Sequence, residues 1–202
     1  MQKLLFATAI AVSTSFAPLA AFAADDSNDG AFAHVGIGRS TVFTGPGEFD
    51  RKKATSFDLT GGYHWGLGRS FALGAEGGYA YLGSVRKTYI HGSPAKAVTK
   101  HRMRTGAWLV GVNAKWNMTD HLSLIGRAGE ARVRGRDSSR TNGSRNMGTV
   151  DSSRWMPYFG LGVGYALTSQ LDLTLQATRY GKKTGSNDWS ATTYNAGVGY
   201  HF

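Results

Sequence analysis

The chain has 202 residues with 28 glycines, 4 prolines and no cysteine, and carries 23 Lys and Arg against 13 Asp and Glu, a net charge of +10. That is one domain's length; the lack of cysteine excludes a disulfide scaffold, a thiol nucleophile and thiolate-bound metals. Glycine at about twice the usual ~7% with so little proline excludes collagen-like and Pro-rich chains, and 18% charged residues is too few for a solvated disordered tail.

The first 23 residues read as a secretory signal. Lys3 opens an apolar stretch, Leu4 to Ala20, interrupted by Ser13, Thr14, Ser15 and Pro18, and Ala21-Phe22-Ala23 precedes Ala24 as a small-x-small cleavage site. Residues 24–202 are then expected to form one domain. Without Lys3, 22 cations face 13 acids, a net +9. No later segment approaches the ~18 consecutive apolar residues of a membrane helix.

From there the chain alternates with period two. Ala33, Val35 and Ile37 oppose His34, Gly36 and Gly38. Phe57, Leu59, Tyr63 and Trp65 oppose Asp58, Thr60, Gly62 and His64, and Phe71, Leu73, Ala75, Tyr79 and Tyr81 oppose Gly74, Glu76 and Gly78. Trp108, Val110, Val112, Ala114 and Trp116 oppose Ala107, Asn113 and Lys115, with Leu109 an imperfection; Leu122 and Leu124 oppose Ser123, Ile125 and Arg127. Phe159, Leu161, Val163, Tyr165 and Leu167 alternate with Gly160, Gly162, Gly164 and Ala166. Leu171, Leu173, Leu175 and Ala177 face away from Asp172, Thr174 and Gln176, and Tyr194, Ala196, Val198, Tyr200 and Phe202 from Asn195, Gly197, Gly199 and His201. Eight strands are predicted.

Short connections (Gly66 to Arg69, Asn117 to Asp120, Thr168 to Gln170) alternate with long ones (Thr44 to Ala54, Ser84 to Lys100, Gly135 to Ser152, Gly181 to Asp188). In an antiparallel meander the short turns then lie at the end of the termini and the long loops opposite, the asymmetry of outer-membrane barrels. A soluble barrel places large apolar side chains inside. Here the second face carries glycines and charges, which fit a narrow polar interior, so the aromatics are expected outside, with Tyr63, Trp65, Trp116, Tyr165, Tyr200 and Phe202 as an interfacial girdle at the short-turn ends. Strands cross hydrocarbon only as a closed sheet, because every backbone polar group must pair internally. The fold class is therefore all-β: an eight-stranded antiparallel up-and-down transmembrane barrel.

The final strand, with Tyr194, Ala196, Val198, Tyr200 and Phe202 alternating, together with the runs Pro157 to Tyr165, Ser123 to Gly129 and Phe71 to Tyr79, resembles the small eight-stranded outer-membrane family of the OmpA transmembrane domain and OmpX. The resemblance covers essentially the whole mature chain and implies a Gram-negative outer-membrane location. It also implies that Tyr194, Val198, Tyr200 and Phe202 form the terminal signal read by the outer-membrane assembly machinery. The sequence stops at Phe202, so OmpA's peptidoglycan-binding role is not carried over.

Asp58, Glu76, Lys115 and Arg127 fall on inward positions, where unpaired charge costs several kcal/mol, so pairing or hydration is required. Glu76 and Arg127 are expected to pair across the lumen, as a structural plug or, by the family resemblance, as the gate of a small diffusion pore. The long connections hold Arg86, Lys87, Lys96, Lys100, Arg102 and Arg104; then Arg132, Arg134, Arg136, Arg140, Arg145 and Arg154 beside Asp137 and Asp151; then Lys182 and Lys183. Arginine pairs with phosphate bidentately, which points to lipopolysaccharide, and sulfated or sialylated host glycans share that chemistry. A third reading, a barrel that acylates or deacylates lipid A, has only scattered Ser and His (His91, Ser93, His101, Ser138, Ser139, Ser144, Ser152, Ser153) without triad spacing, and the 6 histidines form no metal motif. The expectation is a monomeric barrel that anchors or adheres, with outer-membrane lipid as partner, no nucleic acid, no cofactor and no catalysis.

Overall fold

A computed structural model describes residues 29–44, 52–91, 97–141, 144–146, 151–181 and 189–202; the expected signal lies outside them. The strands are β1 (Gly30–Thr44), β2 (Lys52–Gly66), β3 (Phe71–His91), β4 (Ala97–Asn117), β5 (Leu122–Thr141), the three-residue β6 (Ser144–Asn146), β7 (Asp151–Ala166), β8 (Leu171–Tyr180) and β9 (Trp189–His201). Each pairs antiparallel with its sequence neighbours, β7 passing over β6 to pair with β5, and β1 with β9 closes the sheet. The result is an eight-stranded barrel, with β6 an appendage on the tip of β5.

The stagger follows from register. A row of opposed outward residues, Tyr165, Leu173, Val198, Val35, Leu59, Tyr79, Trp108, Arg132 and Trp155, goes once round and returns to β7 ten residues from its start. At ~3.3 Å per residue and ~4.8 Å between strands, that stagger tilts the strands about 41° from the axis. The three short turns use two chemistries. Thr119 and Thr168 each accept from a backbone N–H three residues on, at 3.0 Å. The first turn instead places Gly68 at φ +103°, which costs a residue without Cβ nothing.

Two expectations change. The connection Ser84 to Lys100 is mostly strand: β3 and β4 stay paired to His91 opposite Ala97, and β4 and β5 to Thr99 opposite Thr141. Valine, threonine, tyrosine and isoleucine between the cations are good strand formers, and a hairpin outside the membrane needs no greasy face. A register shift at Leu82, with Gly83 at φ +106°, marks where β3 leaves the barrel wall.

The interior is also not uniformly small and polar. Toward the long hairpins it is filled by Val42, Leu82, Leu109, Val133, Tyr158 and Tyr180, so Leu109 belongs to an inner apolar layer. Aromatics are therefore not all outside, and Phe32 is a third buried ring. The inner glycines make this possible: a Cβ at Gly129 would strike the Tyr158 ring and one at Gly111 its hydroxyl, so these two positions are the slot in which that side chain lies.

Candidate functional site

Two constellations carry the chemistry, one inside and one outside. Within the half of the lumen nearest the termini, Glu76 on β3 and Arg127 on β5 are in contact: Arg127 Nε donates to both Glu76 oxygens at 2.9 and 3.0 Å. The Tyr158 hydroxyl donates to the same carboxylate at 2.6 Å and Asn113 Nδ2 at 3.0 Å, while Arg127 Nη1 donates to Gln176 at 2.9 Å. A buried carboxylate with this many donors keeps its charge satisfied without water.

Asp58 and Lys115 do not join that pair. Asp58 lies 3.1 Å from His34 Nδ1 and accepts from Asn195. Lys115 lies 3.5 Å from Asp172, whose carboxylate is also 2.8 Å from His201 Nε2. His34 Nε2 is 2.7 Å from Thr174 Oγ1 and 3.4 Å from Gln176 Nε2, which links the Asp58 and Arg127 groups. Inward parity marks His34, His201 and Asp172, yet only the register shows which cation each acid meets.

The order Thr174, His34, Asp58 is that of a nucleophile, a base and an orienting acid. The cavity beside it is about 40 Å³, room for a few water molecules at most. The hydrogen bonds of the three residues tie β8, β1 and β2 together inside the lumen. Among the described residues no three His, Asp or Glu are grouped to hold a metal ion. Above the polar half, Leu82 and Tyr158 are fully buried and Tyr180 nearly so, which sets an apolar layer across the lumen.

The outer wall is greasy. Val35, Leu59, Val110, Leu161 and Leu175 are all more than half exposed, a distribution that water does not tolerate and hydrocarbon does. Trp65, Trp116, Tyr165, Tyr200 and Phe202 ring the short-turn end, and Trp108, Trp155 and Tyr194 stand exposed toward the other. Arg132 lies in register between Trp108 and Trp155. Arg134 and Arg136 follow on the same outward face of β5, and Arg104 of β4 is directly opposite Arg136; all four are exposed. Among the described residues, Glu130 lies one step below Arg132, and Asp151 of β7 is in backbone register with Arg136.

A family model for the outer membrane protein beta-barrel domain matches residues 8–202. The chain belongs to that family. No curated protein matches it in sequence. Among solved structures it is similar to Ail, the attachment invasion locus protein of Yersinia pestis, at 15% identity and TM-score 0.55, covering 86% of this chain and 99% of Ail. It is also similar to Ail in complex with the heparin analogue sucrose octasulfate, at 14% identity and TM-score 0.52, with the same 86% and 99% coverage. Neisserial surface protein A gives 15% identity and TM-score 0.47 over 85% of this chain and 97% of that one. As a member of this family the protein resides in the outer membrane, and the hairpin end of the barrel faces outward.

The other sequence-marked cations divide by position. Arg154 is exposed near the outer mouth. Arg86, Lys87, Lys100, Arg102 and Arg140 are on the extensions of β3, β4 and β5, Arg145 is on β6, and Lys96, Lys182 and Lys183 lie outside the described residues. On β9, Tyr194, Val198 and Tyr200 face lipid, as does Phe202 just past its end, and the Tyr200 and Phe202 rings meet edge to face at 4.9 Å.

Proposed function

We propose that this barrel is a non-catalytic outer-membrane anchor whose arginine face grips the phosphates of lipopolysaccharide and whose basic hairpins take sulfated or sialylated glycans of a host surface. The observation that carries the reading is the outward ladder Arg132, Arg134, Arg136 with Arg104 opposite Arg136, starting in the tryptophan row. Like charges directly opposed in a sheet repel; an anion between them reverses the sign of that contribution. Guanidinium forks match phosphate and sulfate oxygens two at a time. Four arginines against Glu130 and Asp151 leave the face net positive.

The inner layer of Leu82, Tyr158 and Tyr180 supports a closed lumen over a diffusion pore. Binding is tested on purified protein in nanodiscs, with lipopolysaccharide as first probe and heparin as second. Replacing Arg132, Arg134 and Arg136 by Ala is expected to weaken lipopolysaccharide binding about tenfold or more while the barrel stays folded; unchanged binding overturns the reading. Lipid A mass spectra from cells with and without the protein are expected to be identical, and altered acylation would instead mark an enzyme.

A further inference from the structure

On the lipid-facing wall, well round the barrel from the β4–β5 arginines, is a groove of about 920 Å³ running across β7, β8, β9 and β1. It arises from two alanines. Ala177 sits in register between Leu161 and Tyr194, and Ala196 between Leu175 and Ile37. The four flanking side chains are each more than 60% exposed, standing out from the sheet like banks. Because the two alanines lie diagonally on adjacent strands, the two gaps merge into one trough rather than two dimples. At its edge are Arg39, in register with Tyr194, and Lys53, in register with Thr41, both exposed. Among the described residues no carboxylate lines it.

We propose that this groove seats one molecule of phosphorylated lipid A from the outer leaflet, an acyl chain lying over Ala177 and Ala196 and a phosphate held by Arg39 and Lys53. The charge pattern selects this occupant. A lipid with a phosphate and an amine would leave its amine without an acid here. A second copy of the barrel packed on the same face would bring only the same lining, in which Arg39 and Lys53 meet no carboxylate among the described residues. An anionic head with an apolar tail satisfies both parts: each acyl CH2 removed from looser lipid contact gains packing against the banks, and the phosphate gains charge-assisted hydrogen bonds. The inference rests on lipopolysaccharide as the partner of the outer face and adds a seat separate from the arginine ladder.

The test is native mass spectrometry of the full mature protein released from detergent with bis-phosphorylated lipid A. Two retained lipid A molecules are expected, one at the arginine ladder and one in the groove, and the two groove variants are read on the loss of the second. Arg39→Ala with Lys53→Ala, which removes the cations, and Ala177→Leu with Ala196→Leu, which fills the trough and keeps the charges, are each expected to lower retention about tenfold. Heat-modifiable gel mobility confirms folding, and should the leucine pair fail to fold, the exposed Arg39 and Lys53 variants still decide the matter. Retention unchanged in the cation pair overturns the proposal, as does equal retention of phosphatidylglycerol or phosphatidylethanolamine. Loss confined to the Arg132, Arg134 and Arg136 triple variant overturns the groove and leaves the ladder standing; a native protein that retains no lipid A overturns both.

Discussion

The inner and outer walls of this barrel both carry charge and arrange it in opposite ways. Inside, every carboxylate named from the sequence touches a basic side chain: Glu76 meets Arg127, and Asp58 meets His34. Outside, Arg104 is opposite Arg136, and Arg132, Arg134 and Arg136 succeed one another along a single face of β5. Internal pairing serves the fold, because a buried charge must be matched within the protein. The external clustering sets like charges against one another in the sheet, a repulsion that an anion bound from outside would relieve. The difference separates charges matched inside the barrel from charges that the proposed anion would match.

That contrast can be broken most forcefully at Glu76. Glu76→Ala strands the buried Arg127 guanidinium and is expected to cost about 3–5 kcal/mol in urea unfolding from lipid vesicles; a loss below ~1 kcal/mol would mean that the inner wall is hydrated and its pairs are dispensable. Leu82→Ala empties part of the apolar layer and is expected to cost about 2–5 kcal/mol by the same assay, and planar-bilayer recordings should show more conductance than the native protein gives. Native protein that conducts as freely as this variant would contradict a sealing layer. Tyr158→Phe removes one hydrogen bond to the Glu76 carboxylate and is expected to cost about 1.5–3 kcal/mol, distinguishable from Glu76→Ala by leaving the ion pair in place. Arg136→Ala sits at the other extreme: unfolding should shift by less than ~0.5 kcal/mol while lipopolysaccharide binding weakens. A stability loss above ~1 kcal/mol there would show that the outer arginines brace the sheet after all.

Period-two alternation carries most of the architecture. It is enough to place Asp58, Glu76 and Arg127 on the inner wall and Trp65, Trp116 and Tyr165 on the outer, where the structure has them. It stops short of partners, because parity says which face a residue is on and nothing about its height. Asp58 and Lys115 share a face, yet the ten-residue stagger carries one to His34 and Asn195 and the other to Asp172 and His201. The apolar layer was obscured for a related reason. Tyr158 and Tyr180 are inward by parity, but glycine-rich inner faces suggested a polar lumen, whereas Gly111 and Gly129 are there to admit the Tyr158 side chain. The groove at Ala177 and Ala196 exists only across strands, so no reading of one strand at a time contains it. The β3–β4 extension was hidden by its cations, which are common on edges and hairpins exposed to water.

The arginine face as the seat of an anion is the claim on which the functional account stands, and the salt dependence of lipopolysaccharide binding tests it most directly. Between about 0.01 and 1 M salt the Debye length shrinks from ~30 to ~3 Å. Titration of lipopolysaccharide onto nanodisc-embedded protein across that range should show affinity falling steadily, with a shallower slope once Arg132, Arg134 and Arg136 are replaced by Ala. A flat salt profile, or an identical slope in the native and substituted proteins, would contradict it.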